Sequence, residues 1–233
     1  MPTRTRAKFP SNARLLPASL ALLGVVFVIA PHSRAQSAPT VTFTLDFPGS
    51  EPEHFSLSVS SDGRSTYDSN GKLSEQSEAG DPFHLEFTMS EATRTRIFAL
   101  AKRANYFHGE LDSKKRNLAY TGVKVLAYKD GSTSNSATYN YSLVPGVQDL
   151  TQLFQDLSAT LEYGRRLEYD HRYQKLALDE EMKTMEDAVG ARGLVELQAI
   201  APILQAIVKD PAVMNVVRLR ARHLLAQVNV PTQ

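Results

Sequence analysis

The chain has 233 residues, 26 of them basic and 25 acidic, with no cysteine and no tryptophan. Lacking cysteine, it can form no disulfide, no thiolate–zinc or iron–sulfur site, and no thiol nucleophile. Its near-zero net charge gives no basic footprint for nucleic acid.

Residues 1–35 have the layout of a secretory leader. Arg4, Arg6, Lys8 and Arg14 form a basic start without an acidic residue, and an apolar run follows from Leu15 to Ala30. Ser33 and Ala35 then occupy the small-residue positions of a cleavage site, which predicts a cut between Ala35 and Gln36. The run is 16 residues and contains Pro17, short against the roughly 20 apolar residues of a spanning helix. Export to the periplasm or the outside is therefore expected. Taking the five basic residues of 1–35 from the total of 26 leaves 21 against 25 acidic, a formal charge of −4 for residues 36–233.

Beyond the leader the pattern predicts an α+β module over 36–146 and a helical region over 147–233. "TVTFTLDF" alternates through Val41, Phe43, Leu45 and Phe47, and "HFSLSVS" through Phe55, Leu57 and Val59. Such period-2 runs are half-buried antiparallel strands. Asp62-Gly63 and Asp130-Gly131 mark two hairpins, with "RSTYDS" and "SATYNYS" as returning strands, the latter polar enough for an edge. Residues 70–82 are turn-rich, and "FHLEFTM" is a further strand with His84 pointing outward. Ser90 then begins a helix whose apolar stripe is Ile97, Leu100, Ala101 and Ala104. From about Gln148 to Val189 one long helix is expected, then a break at "GARG". Two shorter helices follow within 193–228, Pro211 opening the second.

Two stretches resemble known families. "SDGRSTY" and "ANYF" make the front part similar to small secreted bacterial modules of unknown function, a resemblance that implies an exported α+β module and transfers no site residue. "IAPILQAIVKDPAVMNVVRLRARHLLAQV" resembles a single HEAT-repeat hairpin, which implies a scaffold or interaction role; one unit cannot form a solenoid, so it is expected to pack on the long helix.

The candidate site is "EYGRRLEYDHRYQK", residues 162–175. A heptad seam through Leu150, Phe154, Leu157 and Leu161 turns polar at Gly164, Glu168, His171 and Lys175, then resumes at Leu178, Met182, Met185 and Val189. The plain reading is a solvated helix face carrying Glu162/Arg166 and Glu168/Arg172 pairs, each worth about 0.2–0.5 kcal/mol. The functional reading is a partner-binding face of Tyr163, Tyr169, His171 and Tyr173, since Tyr and Arg are enriched at interfaces. Glu168 and His171 also have the Glu-x-x-His spacing of a carboxylate metal ligand pair, without the second helix such a site needs. His108, Glu110 and Asp112 form a weaker cation candidate, and Asn140-Tyr141-Ser142 fits a glycosylation sequon.

No hydrolase, phosphate-loop or metalloprotease motif occurs in the sequence. The expectation is a secreted, non-enzymatic protein that binds another protein of the cell envelope and needs no cofactor. The alternatives are a hydrolase with dispersed residues, or a homo-oligomer joined along Leu150–Leu161 or Leu178–Val189.

Overall fold

In a computed structural model of the chain, residues 38–73, 77 and 80–228 are described. The expected leader, its expected cleavage site and part of the 70–82 loop lie outside the described residues. The chain divides into Met1–Ala35 and Gln36–Gln233, and every described residue belongs to the second unit.

Six antiparallel strands form one sheet in the order β4-β3-β2-β1-β5-β6. They are β1 (Thr40–Asp46), β2 (His54–Ser60), β3 (Arg64–Ser69), β4 (Phe83–Thr88), β5 (Val123–Asp130) and β6 (Thr133–Tyr139). The predicted alternation sets the register, because a one-residue slip would turn every apolar side chain to solvent. Phe43 lies opposite Leu57 on one side and Leu126 on the other, and Leu57 opposite Tyr67, all four fully buried. The opposite face carries hydroxyls, with Thr42 and Ser58 bonded across the strands at 2.6 Å. Gly63 (φ +96°) and Gly131 (φ +53°) make the two expected turns in left-handed backbone, which glycine adopts without a Cβ clash. His84 points outward beside Asp68 at 2.6 Å, and β6 is an edge strand, as the sequence predicts.

The apolar face of the sheet is covered by α1 (Glu91–Arg103) and α2 (Pro145–Tyr173). Ser90 caps α1 and bonds Thr93, and Glu91 sits in the first turn where the helix dipole favours negative charge. Phe154 of α2 stacks on Phe43 of β1, centroids 5.2 Å apart and planes within 5°.

The long helix differs from expectation. It ends at Tyr173; a turn over 174–177 precedes α3 (Leu178–Gly190). A single helix to Val189 would be about 63 Å long at 1.5 Å per residue. Its second apolar seam would then project beyond anything in this unit able to cover it. Folding back lets Leu178, Met182 and Met185 bury completely against α2 and α5. The last two helices are α4 (Ala201–Lys209) and α5 (Asn215–Val228). Pro211 does not open α5: it lies in the intervening turn, where Asp210 accepts from the backbone N–H of Ala212 at 2.8 Å.

The β-rich part and the helices share one core. Position 146 thus marks a change of secondary structure, not the edge of a core. Thr160 Oγ1 donates to Val195 O at 2.7 Å, and the Glu196 carboxylate accepts from both the N–H and the hydroxyl of Ser90, each at 2.7 Å. The C-terminal helices are thereby tied to the start of α1. Replacing Phe154 by Ala is expected to cost about 3–5 kcal/mol in urea unfolding. Far-ultraviolet and tyrosine signals should shift together in one transition, since a shared core leaves the helices no separate unfolding.

Candidate functional site

The opening of the candidate stretch is buried rather than solvated. Glu162 is 3% exposed, and its Oε1 accepts from the hydroxyls of Tyr67 (2.8 Å) and Ser69 (2.5 Å) on β3. The Tyr67 hydroxyl also bonds Ser158 Oγ at 2.8 Å. Arg165, equally buried, lies 3.7 Å from Glu162 Oε2. It donates to Gly71 O (3.0 Å) and Asp81 O (2.8 Å), with its guanidinium 4.9 Å from the Phe83 ring centroid. The helix therefore presents ionic groups to the sheet where its leucines end. Arg166 pairs with Glu181 of α3 at 2.6 Å, not with Glu162 as spacing suggested.

Burial and the neighbouring Glu162 charge raise the Tyr67 phenol well above its ordinary pKa. It stays protonated and acts as a donor. A protonated phenol is a poor base for the neighbouring Ser158 hydroxyl. The network ties α2 to β3.

Beside it, between α2 and the loop entering β2, lies a pocket of about 280 Å³. This is at the small end of ligand sites. Leu45, Phe47, Pro52 and Phe55 form its apolar wall; Ser50, Glu51, Gln155, Ser158, Glu162 and Arg166 are its polar groups. Tyr163 lines this pocket half-buried, under the Arg166 guanidinium 4.7 Å from its ring centroid. Further along α2, Asp170 is buried, and burial reinforced by the Glu181 charge pushes its carboxyl up to about 6, against the opposing pull of Arg166.

The other three residues of the predicted face gather at the α2–α3 corner. Tyr169 and Tyr173 pack ring on ring, centroids 5.2 Å apart. His171 Nε2 meets Asp210 at 2.9 Å, and Lys175 Nζ reaches the same oxygen at 2.6 Å. These two bonds pin the corner to the α4–α5 turn, and Lys175 with the Ala212 N–H holds the Asp210 carboxyl well below the usual range, at about 2. Leu176 completes the corner. The four residues therefore do not share one face: Tyr163 lines the pocket, Tyr169 and Tyr173 pack on each other, and His171 turns to Asp210.

Glu168 is exposed, and His171 is committed to Asp210; among the described residues no group of three His, Asp or Glu is placed to hold a metal. In the 108–112 loop, Glu110 pairs with Lys114, while Asp112 accepts from the N–H groups of Asn140 and Lys114. The Asn140 amide of the sequon is likewise engaged, donating to Ala119 O and accepting from Thr121 N–H. Leu150, Phe154, Leu157, Leu161, Leu178, Met182 and Met185 of the two expected dimer seams are buried within this chain, and Val189 is half-buried.

Sequence reasoning passes over Tyr67, Ser69, Ser158 and Arg165. One signal for them exists. Ser158, Glu162 and Arg165 follow the same 4–3 spacing as the apolar seam and extend its face, whereas the heptad continuation runs through Gly164 and Glu168. No family model matches this chain, and no curated protein is detectably similar to it in sequence.

Asp170→Asn tests the α2–α3 contact. A carboxyl whose folded pKa is raised to about 6 loses stability as pH climbs from its ordinary value of 3.8 through 6. The variant should match wild type in urea midpoint near pH 4 and exceed it by about 1–2 kcal/mol above pH 7. A difference independent of pH would show that Asp170 is solvated.

Proposed function

We propose that the chain is an exported, non-enzymatic binding protein of the cell envelope, and that its contact surface for a partner protein is the α2–α3 corner. One observation carries this reading. Leu176 and Tyr173 are 81% and 65% exposed, the highest values among the large hydrophobic side chains described. They stand on a turn braced from below by His171 and Lys175 on Asp210. Exposed aromatic and aliphatic groups on a rigid support are what interface hot spots need, because little side-chain freedom is lost on binding. Tyr169 supplies the packing surface for Tyr173, and His171 is a brace rather than a contact. Tyr163 lies outside the surface.

Binding is supported over hydrolysis by the Tyr67 phenol, which stays protonated beside Ser158 and so is no base for it. The leader layout of residues 1–35 supports the envelope address.

The test is capture from a native envelope extract with residues 36–233 as bait. It is run beside a Tyr173→Ala/Leu176→Ser variant and a Met214→Ser/Val216→Ser control at the exposed start of α5. A protein retained by wild type and control but reduced about tenfold or more on the corner variant is expected, since two anchors of this type are worth roughly 2 kcal/mol or more. Equal recovery on all three baits would remove the corner from consideration.

A further inference from the structure

Five of the ten large hydrophobic side chains that stand exposed among the described residues gather on two neighbouring segments at one end of the sheet. They are Leu118, Tyr120 and Val123 on the 111–123 segment, and Tyr141 and Leu143 on 140–144. The segments are stitched together. Ser113 N–H donates to Tyr141 O at 2.8 Å, Asn140 N–H to Asp112 Oδ2 at 2.7 Å, and Thr121 N–H to Asn140 Oδ1 at 2.9 Å. Tyr120 also rests edge-on against Phe47, centroids 5.7 Å apart. The apolar groups are thus held out by a fixed framework, and exposed apolar clusters of this kind mark interaction sites.

The charge of the same loop indicates what covers them. "SKKRNLAY", residues 113–120, places three basic residues directly before Leu118 and Tyr120. Glu110 pairs with Lys114 at 2.5 Å, but Lys115 and Arg116 are exposed with no ion pair among the described residues. Beneath the loop, the Lys124 ammonium is buried among oxygens of Thr121, Gly122 and Asn140 with no carboxylate in ion-pair contact. The nearby acids keep their charge: Asp112 accepts from the backbone N–H groups of Asn140 and Lys114, and Asp46 lies beside His54. Lys114, Lys115, Arg116 and Lys124 against Asp46, Glu110 and Asp112 leave this end with an excess of one positive charge, although residues 36–233 as a whole carry −4.

We infer that the 113–123 and 140–144 segments form a docking surface for an anionic lipid bilayer. Lys115 and Arg116 would lie over acidic headgroups, each strengthening binding about fivefold near such a surface. Leu118 and Leu143 enter the boundary of the acyl region, and Tyr120 and Tyr141 sit at headgroup level, where amphipathic rings partition. The few groups involved give a reversible, salt-sensitive association. An acidic protein face shares the charge complement. Aliphatic side chains and phenol rings alternating beside cations, on two loop tips, match the layered chemistry of a bilayer better.

Leu143 is two residues before α2 and Tyr173 is its last residue. With 29 residues at about 1.5 Å each, the helix holds the two surfaces about 40 Å apart. A chain docked by its loops would present the α2–α3 corner away from the bilayer.

The test is flotation of residues 36–233, a unit that contains the entire described core, with lipid vesicles. Removing the apolar leader removes its own membrane affinity. One vesicle set is pure phosphatidylcholine; the other includes about 30% phosphatidylglycerol. Binding is expected only to the anionic set, falling severalfold as NaCl rises from about 0.05 to about 0.5 M. Lys115→Glu/Arg116→Glu should lower binding about tenfold or more. Leu118→Ser/Tyr120→Ser should lower it at least about fivefold, both with unchanged melting temperature. Tyr173→Ala/Leu176→Ser should bind like wild type, so this result stands or falls apart from the corner's role. Equal binding to both vesicle sets, no loss in either loop variant, or capture of an acidic protein on this face without vesicle binding would overturn the inference.

Discussion

A buried carboxylate where helix meets sheet governs how this protein is assembled. Glu162 lies where helix α2 crosses strand β3, and taking its charge out of solvent costs several kcal/mol unless hydrogen bonds and a counter-charge offset it. The hydroxyls of Tyr67 and Ser69 and the guanidinium of Arg165 do so. They can converge only if the helix sits at one axial position and one rotation on the sheet. A greasy interface alone tolerates sliding. This one does not, because a shift of one residue would carry Glu162 away from Tyr67 and Ser69, and Arg165 away from the Gly71 and Asp81 carbonyls. Gly71 takes part by having no side chain: a Cβ there would overlap Glu162 Oε2 and crowd Glu51 Oε1.

With α2 fixed, the rest of the helical part has a defined place to dock. Arg166 reaches α3 through Glu181, Thr160 holds Val195, and Glu196 closes over the N-terminus of α1. Glu196 achieves this from left-handed backbone (φ +57°), a conformation costly for a residue with a side chain and consistent with a position dictated by the contact it makes. Both proposed surfaces inherit their positions from the same helix, one at each end.

The sheet was legible because alternation reports directly on which residues face a core. Val41/Phe43/Leu45 and Phe55/Leu57/Val59 left no choice of phase, and the two Asp-Gly turns fixed the hairpins. Helix α1 was legible from Ser90 and its apolar stripe. The length of α2 was not: nothing in "QKLA" breaks a helix locally. The turn exists because Leu178, Met182 and Met185 have somewhere to bury only if the chain reverses. That is a tertiary demand, and no local signal records it. The candidate stretch was legible as unusual but not in its division of labour. Sequence spacing joined Tyr163, Tyr169, His171 and Tyr173 into one face, whereas at about 100° per residue only Tyr169 and Tyr173 share a side, with His171 roughly opposite them and Tyr163 between. Glu162 and Arg165 looked like solvated charges because their partners, Tyr67, Ser69, Gly71 and Asp81, lie far earlier in the chain. A sequence does not show which distant hydroxyls will meet a carboxylate. It does show that Ser158, Glu162 and Arg165 extend the buried seam, which was the clue available.

The most direct measurement is a double-mutant cycle in urea unfolding, pairing Tyr67→Phe with Glu162→Leu. Clamping of α2 by the buried carboxylate predicts non-additivity of about 1–3 kcal/mol, with Tyr67→Phe far less costly once Glu162 is gone. Additive effects, agreeing within about 0.5 kcal/mol, would mean that apolar packing alone seats the helix, and would contradict the central role given to Glu162.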